Sequence, residues 1–273
     1  MFEPRVALAS LSGESDHEWA RRGEGFAGAA FLGGIALDGP SRDAAREMVA
    51  DRDRTEFLPP DPLGWIDDEL AALAGADLRP AVNVRSATAG PVREAGRICA
   101  EHDAILEVNA HCRQAELCDV GCGETLLRDT DRLAEYVAAA SETGALVSVK
   151  VRAEVPGIDL PETARALAAA GADAVHVDAM DSEGIIAEVA DAAPDTFLVA
   201  NNGVRNAEAA REYFAYGADA VSVGRPSDDP CVLRQVRRAV DEWFSENSGE
   251  GGGGGEEGGG RPRPSASGRE VRR

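Results

Sequence analysis

Polar and apolar positions alternate in eight short runs along this chain, at residues 5–11, 27–35, 79–85, 104–110, 145–152, 174–179, 196–202 and 220–225. A period of two is what a strand with one buried face requires. In the fourth run, Leu106 and Val108 point one way and Glu107 and Asn109 the other. Between the runs lie Ala-, Glu- and Arg-rich segments such as 93–101, 125–143, 161–170 and 207–216, whose composition and length predict helices. Strands alternating with helices pair in parallel through right-handed crossovers. Eight such units predict an α/β fold closed into a (β/α)8 TIM barrel, and 273 residues suffice, since such barrels need roughly 250.

Two stretches depart from the repeat. Residues 42–78 are longer than one helix needs, and their FLPPDPLGW core predicts an extra loop with a second short helix near the barrel mouth. From Ser245 onward, GEGGGGGEEGGG and RPRPSASGREVRR carry too little apolar surface to offset the entropy of ordering. The expected organisation is a barrel over residues 1–246 and a disordered, Gly-rich tail over 247–273.

Strand parity sorts the side chains. In VSVKVR, Val147, Val149 and Val151 face outward, leaving Ser148, Lys150 and Arg152 on the inner or upper side. The same parity places Asn83, Arg85, Glu107, Asn109, His176, Asp178 and Asn201 there. So many polar groups are costly in a sealed core unless paired, and they predict a wet ligand pocket. Lys150 is the only lysine in the chain. Its compact ammonium suits a ring nitrogen, a carbonyl or a phosphate, and equally an ion pair with Glu107 or Asp178. Gly203 follows the seventh strand and Gly224 ends the eighth, where backbone N–H groups and Arg225 can converge on a phosphate; plain turn geometry is the other reading.

The stretch AILEVNAHCRQAELCDVGCGETLL, residues 104–127, breaks from strand to turn at His111, Cys112 and Arg113, and passes through Gly121 and Gly123 to a helix near Glu124. Strand ends of this kind collect the chemistry of α/β folds. A thiol in such a loop, with a reference pKa of about 8.5, keeps its proton at neutral pH and can donate it; a buried structural thiol is the alternative. Cys112, Cys118 and Cys122, with His111 or Cys99, also offer soft metal ligands. Their C-x5-C-x3-C spacing fits no standard ligand pattern, so no metal is expected.

Composition narrows the setting. A formal net charge of -21, a pI near 4.5 and the near absence of lysine predict an acidic surface and a halophilic source. They sit oddly with nucleic-acid binding, which needs a basic face. Five cysteines without a secretory signal predict a reducing cytoplasm. No apolar run approaches the roughly 18 to 20 residues of a membrane span.

The order VNxxC, Gly121, Gly123 and Leu126-Leu127, then VSVKVR, GADAVHV, VANNGV and GADAVSVGRP, resembles the flavin-dependent tRNA-dihydrouridine synthase family across residues 6–225. LASLSG near the start resembles that family's first flavin-contacting turn. The resemblance implies FMN as cofactor, NAD(P)H as electron donor, and reduction of a uracil 5,6 double bond in tRNA, with hydride from the flavin and a proton from Cys112. It makes Asn83 and Lys150 contacts of the flavin ring, and Gly203 and Gly224-Arg225 the phosphate turns. His176, Asp178, Asn201 and Asn202 line the cofactor, and Asn109, His111, Arg113 and Arg152 the substrate.

The chain also departs from the family. The usual Gly-Cys-Pro is His111-Cys112-Arg113, and alignment by the GAD turn puts Asp178 where the family has a histidine. His176 lies two residues deeper, either a ligand contact or a hydrogen-bonded core histidine. After Pro230 the sequence predicts one helix, 232–244, and then the tail, where the family's helical tRNA-binding domain is expected. That favours a flavin-dependent dehydrogenase of a free pyrimidine or dihydroorotate-like molecule as the rival reading. A barrel that binds a phosphorylated metabolite, or scaffolds a complex without redox turnover, is the alternative of another class.

Overall fold

The computed structural model describes residues 1–51 and 54–247, and within them eight parallel strands close into a barrel in chain order. The strands are β1 (Val6–Leu8), β2 (Ala29–Ala36), β3 (Arg79–Arg85), β4 (Ile105–Asn109), β5 (Leu146–Arg152), β6 (Ala174–Asp178), β7 (Phe197–Asn201) and β8 (Ala220–Val223). The helices are α1 (His17–Arg22), α2 (Gly39–Asp51), α3 (Pro62–Ala72), α4 (Ala89–Glu101), α5 (Ala115–Asp119), α6 (Glu124–Leu127), α7 (Thr130–Ser141), α8 (Leu160–Ala169), α9 (Ile185–Ala192), α10 (Ala207–Ala215) and α11 (Pro230–Asn247). Each of the eight alternating runs holds a strand, and β1 keeps only Val6–Leu8 of residues 5–11. The TIM barrel expected from the sequence is the fold. The expected tail lies beyond Asn247, outside the described residues.

Side-chain caps set several helix starts. Asp61, Asp159 and Asn206 accept the N–H groups of Gly64, Glu162 and Ala209, and Pro62 and Pro161 open α3 and α8 where a missing N–H costs nothing. The one helix expected at 125–143 is two. Asp129 accepts Arg132 N–H at 3.2 Å and starts α7 afresh, so α6 is a single turn ending at Leu127. Within 42–78 the described residues form the end of α2, a loop from 54 to 61, and α3 with the turn that follows it. In that loop Phe57 stacks on Trp65 with ring centroids 4.8 Å apart.

Val82, Val84, Leu106, Val108, Val147, Val149, Val151, Val175 and Val177 face outward into one apolar layer with the helices. This continuous burial of strand backs against helices provides most of the driving force for folding. A smaller cluster inside the barrel, with Phe2, Phe31, Ile105 and Val199, seals the end from which the strands start. Among the described residues no helix is long and apolar enough to cross a membrane.

Candidate active site

Parallel register sets Asn83 beside Glu107 and Glu107 beside Ser148, which brings polar side chains together in the middle of the barrel. Glu107 is 0% exposed. Its Oε1 accepts Asn83 Nδ2–H at 2.7 Å, and its Oε2 accepts Ser148 Oγ–H at 3.1 Å and faces His176 Nδ1 at 2.7 Å. His176 Nε2 stands 2.7 Å from Ser222 Oγ, and the ring leans on Phe31. Burial pushes His176 below its ordinary value, outweighing the pull of Glu107. Burial alone would raise Glu107, but His176, Lys150 and the Asn83 bond hold it below the usual carboxylate value. The pair is therefore a carboxylate facing a neutral imidazole that donates from Nδ1 and accepts Ser222 Oγ–H at Nε2. Of the two readings of His176, the structure gives the hydrogen-bonded core histidine, since both ring nitrogens have protein partners. Asn83, expected at a flavin ring, has its amide engaged by Glu107 and Asn109.

One layer higher stands the ammonium. Lys150 is 2% exposed and its charge is felt by Glu107 and His111, yet among the described residues no carboxylate stands within ion-pair distance. The alternative of a structural ion pair with Glu107 or Asp178 is not what forms. A buried ammonium without a counter-charge is costly unless something polar comes to meet it.

Cys112 lies in the loop after β4, 6% exposed, packed with Ala44, Met48, Leu117 and Cys122. Its Sγ is 3.9 Å from His111 Nδ1, and the Arg85 guanidinium lies beside it. His111 is pushed well below its ordinary value by burial and then by the charges of Lys150 and Arg85, so its ring is neutral at pH 7. Arg85 also donates from Nη1 to Glu56 Oε2 at 2.7 Å and from Nη2 to Ser12 Oγ at 2.6 Å. Its side chain and that of Glu56 are 3% and 1% exposed. Thr55 Oγ1 donates to Ser12 O at 3.3 Å, so the loop before α3 lies on the LASLSG turn at the rim. Glu56 was not legible as a site residue.

The far side of the rim is more open. Gly203 has φ +67°, and a Cβ built there or at Gly224 meets no atom within 4 Å. Asn202 donates from Nδ2 to Asp178 Oδ1 at 2.8 Å, and Asn201 from Nδ2 to Ser222 O at 3.2 Å. Arg152, Asp178 and Asn201 are half-buried at their strand ends, whereas Arg113 and Arg225 are exposed. Among the described residues no group of three or more His, Cys, Asp or Glu is placed to hold a metal. A groove of about 620 Å³ beside Leu70, Leu78 and His102 opens at the foot of β3, away from all of these groups.

Fold and rim together define a (β/α)8 barrel whose polar groups gather at the carboxyl ends of the strands, the face on which such barrels do their chemistry. The family model for dihydrouridine synthase (Dus) matches residues 80–248, and this chain belongs to that oxidoreductase family. An uncharacterized protein of Methanocaldococcus jannaschii is 27% identical over 257 residues, covering 90% of this chain and 94% of its own. Among solved structures, DHODH from Eimeria tenella in complex with ferulenol is similar in fold, with a TM-score of 0.63 and 15% identity, covering 89% of this chain and 82% of that one.

Proposed function

We propose that this chain reduces the 5,6 double bond of a uracil ring in tRNA, with FMN held in the barrel mouth and NAD(P)H as electron donor. The observation that carries the reading is Lys150, a buried ammonium with no carboxylate at ion-pair distance among the described residues, in a barrel of this family. The two last turns, open at Gly203 and Gly224, add room for a phosphate and backbone N–H groups to bind it. A buried ammonium at one end and a glycine cradle at the other fit a cofactor with a polar ring and a phosphate tail.

FMN, when bound, supplies the hydride. Lys150 would hold the polar edge of its ring, and the Gly203 and Gly224-Arg225 turns its phosphate. Cys112 holds the proton that the reduced ring carbon takes, and the Arg85 guanidinium beside the sulfur stabilises the thiolate left behind. His111 Nδ1 stands 3.9 Å from that sulfur, and its neutral ring adds no competing charge. Arg152, half-buried at the end of β5, would meet a substrate carbonyl.

A second reading, reduction of a free pyrimidine or dihydroorotate-like molecule, is favoured by the net charge of -21, which opposes approach of a polyanion. One experiment separates them. The purified chain is examined for the visible flavin spectrum, reduced with NADPH, and mixed anaerobically with an unmodified tRNA transcript, uracil or orotate. Reoxidation by the transcript supports the tRNA reading, and reoxidation by a free ring supports the second. Protein that takes up no FMN refutes both and leaves a barrel for a phosphorylated metabolite.

A further inference from the structure

A carboxylate at the centre of the barrel dictates which way two amides above it face. Ionised, fully buried Glu107 can only accept hydrogen bonds. Asn83 must therefore turn Nδ2 toward Glu107 Oε1, at 2.7 Å. Its Oδ1 is left facing the rim, where it accepts Asn109 Nδ2–H at 2.8 Å. Asn109 then has only Oδ1 to offer the loop after β4, and there it accepts the backbone N–H groups of His111 at 3.3 Å and Cys112 at 3.2 Å. One charge sets the polarity of the row, and the row ends on the backbone of the cysteine.

We propose that Glu107, acting through Asn83 and Asn109, is a positioning residue for Cys112. It holds the thiol's loop on the top of β4 by an acceptor that no other orientation of the two amides supplies. The proposal rests on the reductase reading only for what the thiol does; the hold on the loop stands on the geometry. It also moves Asn83 and Asn109 from ring and substrate contacts into this row. Such a row acts as a unit, because reversing one member alone sets acceptor against acceptor or donor against donor in a buried place.

Moving the charge tests it. In Asn109→Asp the new carboxylate still accepts from the loop, but it meets Asn83 Oδ1 with another acceptor, and Asn83 cannot turn without opposing Glu107. In the double variant Glu107→Gln with Asn109→Asp, the new glutamine amide donates to Asn83, Asn83 turns and donates to the new aspartate, and the loop keeps its acceptor. Ser148 and His176 keep an oxygen to donate to.

The readout is the rate at which iodoacetamide alkylates Cys112 in the full chain, followed by mass spectrometry of its peptide. Asn109→Asp should raise that rate about tenfold or more, the change that ~1.4 kcal/mol of loop displacement produces, and the double variant should return it close to the parent value. A single variant that reacts like the parent, or a double variant as reactive as the single, overturns the proposal. If Asn109→Asp does not fold, folding of the double variant is itself the rescue expected. If neither folds, Asn83→Ala removes the middle link without moving charge: faster Cys112 alkylation supports the proposal, and a parent-like rate overturns it. Flavin uptake is measured on the same samples. A parent chain without flavin but with coupled thiol reactivities sinks the reductase reading and leaves the row intact. Normal flavin reduction with uncoupled reactivities does the reverse.

Discussion

Replacing Glu56 by leucine strips the carboxylate from a guanidinium whose side chain is only 3% exposed, with an N···O distance of 2.7 Å. At that depth solvent does not take over the lost partner, and breaking such a pair from one side costs about 3–5 kcal/mol. Arg85 keeps Ser12, which limits the loss without supplying a counter-charge. The pair itself is less favourable than its distance implies, because Arg85 Nε and Glu56 Oε1 are both buried without a hydrogen-bond partner. Each such orphan costs about 1–3 kcal/mol. Removing both partners should therefore restore most of what removing one loses. For a chain of this size ~2–4 °C of melting temperature corresponds to 1 kcal/mol. Glu56→Leu should then melt about 6–20 °C below the parent, and Glu56→Leu/Arg85→Met within about 4 °C of it. Thermal unfolding followed by circular dichroism, with urea titrations as a check, measures both. A single variant that melts like the parent would show that the loop before α3 is solvated, and a double variant that loses the sum of its singles would show the two side chains to be independent. Either result refutes the reasoning.

Acid should weaken the fold in two stages. His111 and His176 are held below their ordinary value of 6.5, so the unfolded chain binds more protons as pH falls through that value and stability drops; Glu107, held below 4.5, adds a second loss beneath that pH. Melting temperature against pH should be flat above about 7, and a curve with no fall until below about 4.5 would contradict the histidine assignment. Lys150→Met should leave stability within about 1 kcal/mol of the parent, since the cost of burying the ammonium offsets its attraction to Glu107, while slowing turnover about 100-fold; melting and flavin reoxidation rates report the two. Gly203→Ala should cost about 1 kcal/mol for its positive φ and weaken FMN uptake, measured by fluorescence titration. Gly123→Ala should cost more, because its Cβ would stand 2.2 Å from Cys112 O. If a halophilic surface is present, melting temperature rises with salt beyond the level at which ordinary screening saturates; a fall would exclude it.

The barrel was legible because parity and periodicity are local properties. VSVKVR declares its two faces without reference to the rest of the chain, and β5 buries its valines outward as that pattern requires. The break at Asp129 was also written locally, as an acidic residue ahead of a helical run, but the unbroken apolar rhythm around it hid the cap. Contacts between distant residues were not legible. Glu56 sits in a segment without period and meets a partner 29 positions away, so nothing in its neighbours marks it. His176 was assigned its face correctly and its depth not at all, because parity gives a side and not a layer. Only the contact of its Nδ1 with Glu107 Oε2 at 2.7 Å shows that its ring lies beside that carboxylate rather than at the rim.

The aromatic floor laid by Phe2 and Phe31 makes this vessel single-ended. Any molecule reaching the ammonium and the thiol must come and go by the same doorway, so an electron donor and an acceptor of comparable size take turns there. Steady-state kinetics should accordingly show parallel double-reciprocal lines, each reactant inhibiting at high concentration by blocking the entrance of the other.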